Sequence, residues 1–310
     1  MTAAERAVPA SRAPARSGVH EIARRRAVDV AADLAGRSPR ELARAAAAAP
    51  DPRPFAERLA EPGLHLIAEV KRRSPSAGEI AGPDHDPVAR SRAYAAGGAA
   101  AISVLCEPHW FGGSVDDLRA VRAAVSAPVL AKEFVVDPRQ LPLLRAAGAD
   151  AVLLIAVLHP ARRLARLVDA ALDLGLEPLV EVHDGRELER ALATATRVVG
   201  INNRDLRTLA VDPERALLLR PLVPDDRLAI AESGVREPST LVGWRAGGFD
   251  AALIGEALMR AADPEAAARA FVAAGSMPDD PGAHDRAPFV KICGVTHEAG
   301  VLAAVRAGAD

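Results

Sequence analysis

Short runs of β-branched residues, leucine and alanine return along this chain at a steady interval. They lie at 66–70 (LIAEV), 101–105 (AISVL), 129–133 (VLAKE), 151–155 (AVLLI), 178–182 (PLVEV), 198–202 (VVGIN), 228–232 (LAIAE) and 251–254 (AALI). Their near-continuous apolarity, in place of alternation, predicts strands buried on both faces. Between them Ala, Leu and Arg recur at helical spacing, as in 139–147, 161–174 and 186–193. Gly97-Gly98, Gly148, Gly175 and Gly247-Gly248 stand where such helices would end. Eight strand–helix repeats predict a parallel sheet, and eight such units close into a (β/α)8 (TIM) barrel. An open doubly wound sheet is the rival, but it commonly carries GxGxxG after its first strand, and none occurs here.

The flanks differ from this rhythm. Residues 1–17, rich in Ala, Pro and Arg, read as a disordered leader. From Val19 to Ala49 the pattern is helical, with a break at Ser38-Pro39, where Ser38 is placed to cap a second helix. The barrel is therefore expected over 18–273 with an N-terminal helical extension. Residues 274–288, rich in Pro, Gly, Asp and Ala, read as a linker. A further strand, FVKIC at 289–293, and a helical stretch to 310 then form an incomplete C-terminal βα fragment. One βα unit cannot bury its own faces, so removing 275–310 is expected to change little.

In such barrels chemistry sits at the C-terminal ends of the strands. Residues two apart share a strand face, so Glu69 and Lys71 project together from the first strand. Lys132 follows from the third, Glu181 from the fifth, Asn202 and Arg204 from the sixth, and Glu232 from the seventh. Taken singly, each is ordinarily a solvated loop residue or half of a structural ion pair. Their arrival together at matching depth is what points to catalysis. Ser74, Ser233, Gly234 and Gly255 lie in loops after strands 1, 7 and 8, where glycine and serine let backbone N–H groups approach a phosphate. Phe111 and Phe134 offer an aromatic wall.

Composition sharpens one part of this picture. Arginine abounds, yet the chain holds only three lysines, Lys71, Lys132 and Lys291. Where arginine serves almost everywhere, a retained ammonium suggests a role that guanidinium cannot fill. Basic and acidic residues nearly cancel, 39 against 41, so no overall field recruits nucleic acid or an anionic membrane. Eight histidines without HxxxH spacing and two isolated cysteines give no metal-site or disulfide signature. Cys106 is expected to be a small buried residue. No apolar run reaches the length of a membrane span or a signal peptide.

Five segments, IAEVKRRSPSAG (67–78), VLAKEF (129–134), PLVEVHD (178–184), GINNRDL (200–206) and AESGV (231–235), resemble the strand-end signatures of indole-3-glycerol phosphate synthases. FVKICGVT at 289–296 resembles the opening of phosphoribosylanthranilate isomerase, fused after the synthase in some bacteria. The first resemblance implies a monomeric, cytoplasmic lyase of tryptophan synthesis acting on a phosphorylated anilino-sugar, without cofactor or metal. It implies Lys132 as general acid, Glu181 as its partner, and Glu69 and Lys71 flanking a second proton transfer. Asn202, Arg204 and Glu232 would orient the anthranilate ring, Phe111 and Phe134 wall it, and Ser74, Ser233, Gly234 and Gly255 seat the phosphate. Glu256 stands where some members have Ser. Lys132 is expected to have a lowered pKa, through burial and the nearby charge of Lys71. A sugar-phosphate isomerase or epimerase on the same barrel, or a non-catalytic scaffold, are the alternatives. The paired Glu69 and Lys71 with Lys132 argue against the first, and the intact set of candidate residues against the second.

Overall fold

A computed structural model describes residues 18–82, 85–205 and 208–276. Eight strands form a closed parallel barrel: β1 (His65–Val70), β2 (Ala101–Leu105), β3 (Val129–Lys132), β4 (Ala151–Ile155), β5 (Glu177–Val182), β6 (Val198–Asn202), β7 (Leu228–Glu232) and β8 (Ala251–Ile254). Each strand pairs with its sequence neighbours, and β1 closes the ring by pairing with β8. These are the eight runs read from the sequence.

The reason both faces are apolar is visible in the two packing clusters. Leu66, Ala68, Val70, Val104, Val152, Val180, Ile201 and Ile254 point outward against the helices. Ile67, Leu130, Leu153, Leu179, Val198, Ile230 and Leu253 point inward and fill the barrel floor. Further along, those inward rows leave the hydrophobic layer and become Glu69, Lys132, Glu181, Asn202 and Glu232. Alternation along each strand thus delivers the polar set to the mouth.

Among the described residues, twelve α-helices accompany the strands. The N-terminal extension supplies α1 (Val19–Asp33), α2 (Pro39–Ala47) and the short α3 (Phe55–Leu59). The sequence pattern does not separate α3 from its surroundings. Ser38 caps α2 as expected: its Oγ accepts the Glu41 N–H, and Glu41 Oε2 accepts the Ser38 N–H at 2.8 Å. Around the barrel run α4 (Pro87–Ala96), α5 (Val115–Ala124), α6 (Gln140–Ala146), α7 (Ala161–Asp173) and α8 (Gly185–Leu192). They continue with α9 (Arg215–Leu219), α10 (Thr240–Ala246), α11 (Glu256–Arg260) and α12 (Pro264–Ser276).

Helix α1 is fixed to the barrel by a buried ion pair. Arg26, 5% exposed, directs Nε and Nη2 onto the carboxylate of Glu133, 1% exposed, with Nη2–Oε2 at 2.9 Å. Glu133 directly follows β3, so this clamp lies beside the mouth. Val30 and Leu34, from α1 and its C-terminal end, pack with Leu42 of α2 against Val136 and Leu143.

The end of the barrel falls later than the composition suggests. Residues 274–276, expected to begin the linker, complete α12. Gly275 is buried there and its carbonyl accepts the Leu64 N–H at 3.2 Å. A Cβ at Gly275 would lie 2.2 Å from the Leu64 oxygen, so this glycine serves close helix-to-loop packing and not linker freedom. The leader 1–17, the rest of the linker and the βα fragment 289–310 lie outside the described residues. Among the described residues, no helix is long and apolar enough to cross a membrane.

Candidate active site

A cavity of about 800 Å³ opens at the C-terminal ends of the strands. It gathers every sequence-predicted site residue: Glu69, Lys71, Ser74, Phe111, Lys132, Phe134, Glu181, Asn202, Arg204, Glu232, Ser233, Gly234 and Gly255 all line it. Residues far apart in the chain converge because β1, β3, β5, β6, β7 and β8 each release one inward row at the same level.

Lys132 stands at the centre of the floor. Its Nζ donates to Glu181 Oε2 at 3.0 Å and to Glu232 Oε2 at 2.5 Å. Burial works to strip its proton, but the carboxylates of Glu232, Glu181 and Glu69 outweigh burial and hold the ammonium above its ordinary value. The sequence-based expectation of a lowered pKa is therefore corrected. It counted burial and Lys71, but not the two carboxylates converging from β5 and β7. The two carboxyls then divide their states. Burial raises both, but Lys132 and His183 together draw Glu181 well below the ordinary range. Burial and the adjacent Glu181 charge push Glu232 up to about 8, despite Lys132. Of the two, Glu232 is thus the carboxyl more readily protonated.

A second pair sits beside it. Lys71 Nζ donates to Glu69 Oε1 at 2.6 Å, both groups largely shielded from water. Gly255, placed by sequence in the phosphate seat, has a further use here. A Cβ at that position would lie 2.4 Å from Glu69 Oε1 and 2.7 Å from Lys71 Nζ. Gly255→Ala is accordingly expected to displace the flexible ends of the pair, at little cost to the fold. We expect kcat/KM to fall about tenfold or more while Tm changes little. Steady-state kinetics beside a thermal melt checks this, and an unchanged kcat/KM would mean that the pair can yield freely.

Asn202 accepts the Arg204 N–H on its Oδ1 at 2.9 Å, fixing the turn out of β6. Arg204 donates through Nη1 to the Leu209 carbonyl at 3.0 Å, and burial lowers its pKa. The neighbouring Asn203 is structural, since it donates to the Ser233 carbonyl and accepts the Ala216 N–H. The loops after β6 and β7 are thereby joined.

Ser74 Oγ accepts the Ala77 N–H at 3.1 Å within a tight ribbon after β1. Ser233 adopts φ 64°, a left-handed conformation unusual for serine. Such strain at a site lining a cavity is a recurrent companion of function. Glu256 turns its carboxylate to Arg260, with Nε–Oε1 at 3.0 Å. Phe111 and Phe134 face each other with ring centroids 6.0 Å apart. Cys106 is buried, as expected, and burial pushes its thiol up.

Several lining residues carry no signal in the sequence. Val19 and Ile22 of α1 form part of the wall, so the extension completes the cavity. Arg236 after β7 and Arg260 of α11 bring cations to the cavity lining. Behind the wall, His183 lies between Glu181 and Glu187.

Fold and site together define a β/α-barrel enzyme with a floor of ion-paired lysines and carboxylates and a rim of serine and glycine loops. The sequence profile of the indole-3-glycerol phosphate synthases matches residues 19–271, and the chain belongs to that family. It is 48% identical over 253 residues to the indole-3-glycerol phosphate synthase of Mycobacterium avium (strain 104), covering 82% of this chain and 93% of that one. With the Nocardioides sp. enzyme of the same description, identity is 53% over 207 residues, covering 67% and 79%. Among solved structures, 3-hexulose-6-phosphate synthase from Salmonella typhimurium superposes with a TM-score of 0.57 at 17% identity, covering 68% of this chain and 98% of that one. Thiamine phosphate pyrophosphorylase from Pyrococcus furiosus gives 0.50 at 18%, covering 67% and 93%. These two likenesses concern the barrel alone.

Proposed function

We propose that Lys132 and Glu181 carry the principal proton transfers of indole-3-glycerol phosphate synthesis in this cavity. As a member of its family the chain is a carbon–carbon lyase of tryptophan biosynthesis. The substrate is 1-(2-carboxyphenylamino)-1-deoxyribulose 5-phosphate. A ring carbon joins the sugar carbonyl carbon, CO₂ leaves from that ring position, and water then departs to give the indole. An acid is needed at the carbonyl oxygen and the departing hydroxyl, and a base at the ring nitrogen's proton.

The observation that supports this assignment most is Lys132 Nζ lying between Glu181 and Glu232 on the cavity floor. An ammonium bonded to a carboxylate can give a proton to substrate and recover one through its partner. Glu69 and Lys71 form the second acid–base pair, with Lys71 also suited to an anionic end of the substrate. Asn202, Arg204 and Glu232 orient the anthranilate part, and the raised proton affinity of Glu232 lessens its repulsion of that carboxylate. Phe111 and Phe134 wall the ring. Ser74, Ser233, Gly234 and Gly255 seat the phosphate. Purified protein given the substrate alone should generate the indole chromophore, and its absence would refute the assignment.

We also propose a monomeric, cytoplasmic enzyme, as the resemblance implies. For 289–310 we propose the first βα unit of a phosphoribosylanthranilate isomerase-like domain, supported by FVKICGVT, with 277–288 as the connecting linker. A protein of residues 1–310 is expected to show no isomerase activity, since only Cys293 matches that chemistry. Truncation after Ser276 is expected to leave kcat and Tm within error of the full chain. The cut falls there, and not before Gly275, because Gly275 bonds Leu64. A fall in Tm of several degrees would show that the tail stabilises the barrel.

A further inference from the structure

His183 directly follows β5, two residues beyond Glu181. Its Nε2 lies 3.3 Å from Glu181 Oε1, and its Nδ1 lies 3.0 Å from Glu187 Oε2 on α8. The ring is locked in place from behind. Glu187 Oε2 also accepts the His183 N–H at 2.9 Å, and the Glu187 N–H is in turn held by Asp184 Oδ1 at 2.8 Å. The imidazole is 9% exposed and stands behind the residues that line the cavity. It therefore reaches the reaction only through Glu181.

Glu181 has two oxygens, and two different cations face them. Oε2 receives Lys132, and Oε1 faces His183. The Lys132 cation is transient if Lys132 gives its proton to substrate, because the amine left behind is neutral. A buried carboxylate that loses its only counter-charge takes up a proton and ceases to be a base. The second cation prevents this.

We propose that His183 is a positioning residue for the synthase reaction, a charged imidazolium clamped between Glu187 and Glu181 that orients Glu181 and keeps it ionised while Lys132 cycles. This rests on the reading of Glu181 as a proton-transfer group. The ionisable groups facing the ring are Glu181 on β5 and Glu187 on α8, with Lys132 of β3 and Glu232 of β7 beyond Glu181. Burial disfavours the imidazolium, but the two carboxylates prevail and hold His183 up at about 9. The ring thus stays charged at neutral pH and loses its proton only as pH rises through that value.

The experiment has two arms. The first is a histidine-ring NMR titration of the full chain, with the His183 signal assigned from its loss in His183→Asn. The expected result is a doubly protonated ring at pH 7.5 whose midpoint falls by about one unit or more in Glu187→Gln. A neutral ring at pH 7.5 would overturn the proposal. The second arm is the pH dependence of kcat, which reports groups in the complex with substrate. In His183→Asn the carboxyl of Glu181 loses one cation, so the acid limb is expected to move up by about one unit or more, with KM little changed. Glu187→Gln, which leaves the ring in place, should move it in the same direction by less, and keeps the test open should His183→Asn fold poorly. An unmoved limb in both variants, beside an inactive Glu181→Gln, would overturn the proposal. An active Glu181→Gln would instead remove the reading beneath it.

Discussion

Replacing Lys132 by arginine is expected to lower kcat by about 10²–10⁴-fold, the range typical of a general acid–base group. Arginine keeps the positive charge that Glu181 and Glu232 surround, so the electrostatic balance of the floor persists. It removes the transferable proton, since guanidinium stays protonated in proteins. KM is expected to change far less than kcat. The ion pairs raise the lysine's proton affinity in the free enzyme, which on its own would oppose donation. The proton affinity that governs donation is the one in the complex with substrate, which kcat reports. Lys71→Arg is expected to lose less in kcat, because charge at the substrate's anionic end survives. Steady-state kinetics of both variants, with circular dichroism for folding, makes the comparison. If Lys132→Arg keeps more than roughly a tenth of the wild-type kcat, donation by Lys132 is wrong and Glu232, the carboxyl that is pushed up, becomes the leading acid.

Arg26→Met is expected to be the most damaging substitution outside the cavity. It leaves Glu133 buried with its charged partner gone, a change that typically costs about 3–5 kcal/mol. For a chain of this size that corresponds to a fall in Tm of roughly 6–20 °C. Glu133 already sits above its ordinary pKa because burial outweighs Arg26. Without Arg26 it should rise further and take up a proton in the fold. The group's folded value then exceeds its unfolded one, so the variant keeps more of its stability at acid pH and loses it as pH rises. The double variant Arg26→Met with Glu133→Leu is expected to recover much of the loss, because a buried pair exchanged for apolar groups is often neutral. Function should follow stability here: Val19 and Ile22, on the same helix, form cavity wall, so KM is expected to rise with Arg26→Met. Thermal melts from about pH 5 to 9 with parallel kinetics would show both effects. A Tm loss of under about two degrees would mean that the pair contributes little to docking α1.

The barrel is legible in the sequence because strand periodicity is a local property. LIAEV and PLVEV each state their own unbroken apolar run, and an inward Leu or Ile two residues before a Glu or Lys announces a mouth position. The catalytic candidates can be read for the same reason. What the sequence hides are relations between strands. Nothing in VLAKE says that Glu181 and Glu232 will close on Lys132 from β5 and β7, so the direction of its pKa does not follow from it. Nothing in the helical pattern of 19–33 says which surface it covers, so Val19 and Ile22 cannot be recognised as wall. His183 does leave a signal, its two-residue spacing from Glu181, but metal-ligand spacing between histidines is blind to it. Gly275 falls to the linker by composition, which cannot tell a glycine that frees the chain from one that lets two segments touch.

The inward rows carry a consequence for how this gene can change. In β5 the row runs Leu179, Glu181, and in β3 it runs Leu130, Lys132, so floor packing and chemistry share one reading frame along the strand. An insertion or deletion of a single residue within any strand exchanges inward and outward rows wholesale. It would turn a proton-transfer group toward the helices and a valine into the mouth in one event. Length variation is thereby confined to the connections, whose ends are independently pinned by caps such as Ser114 on α5 and Asp184 on α8. Tolerance to lengthening in a scan of single-residue insertions should therefore rise and fall with the period of the β/α repeat itself.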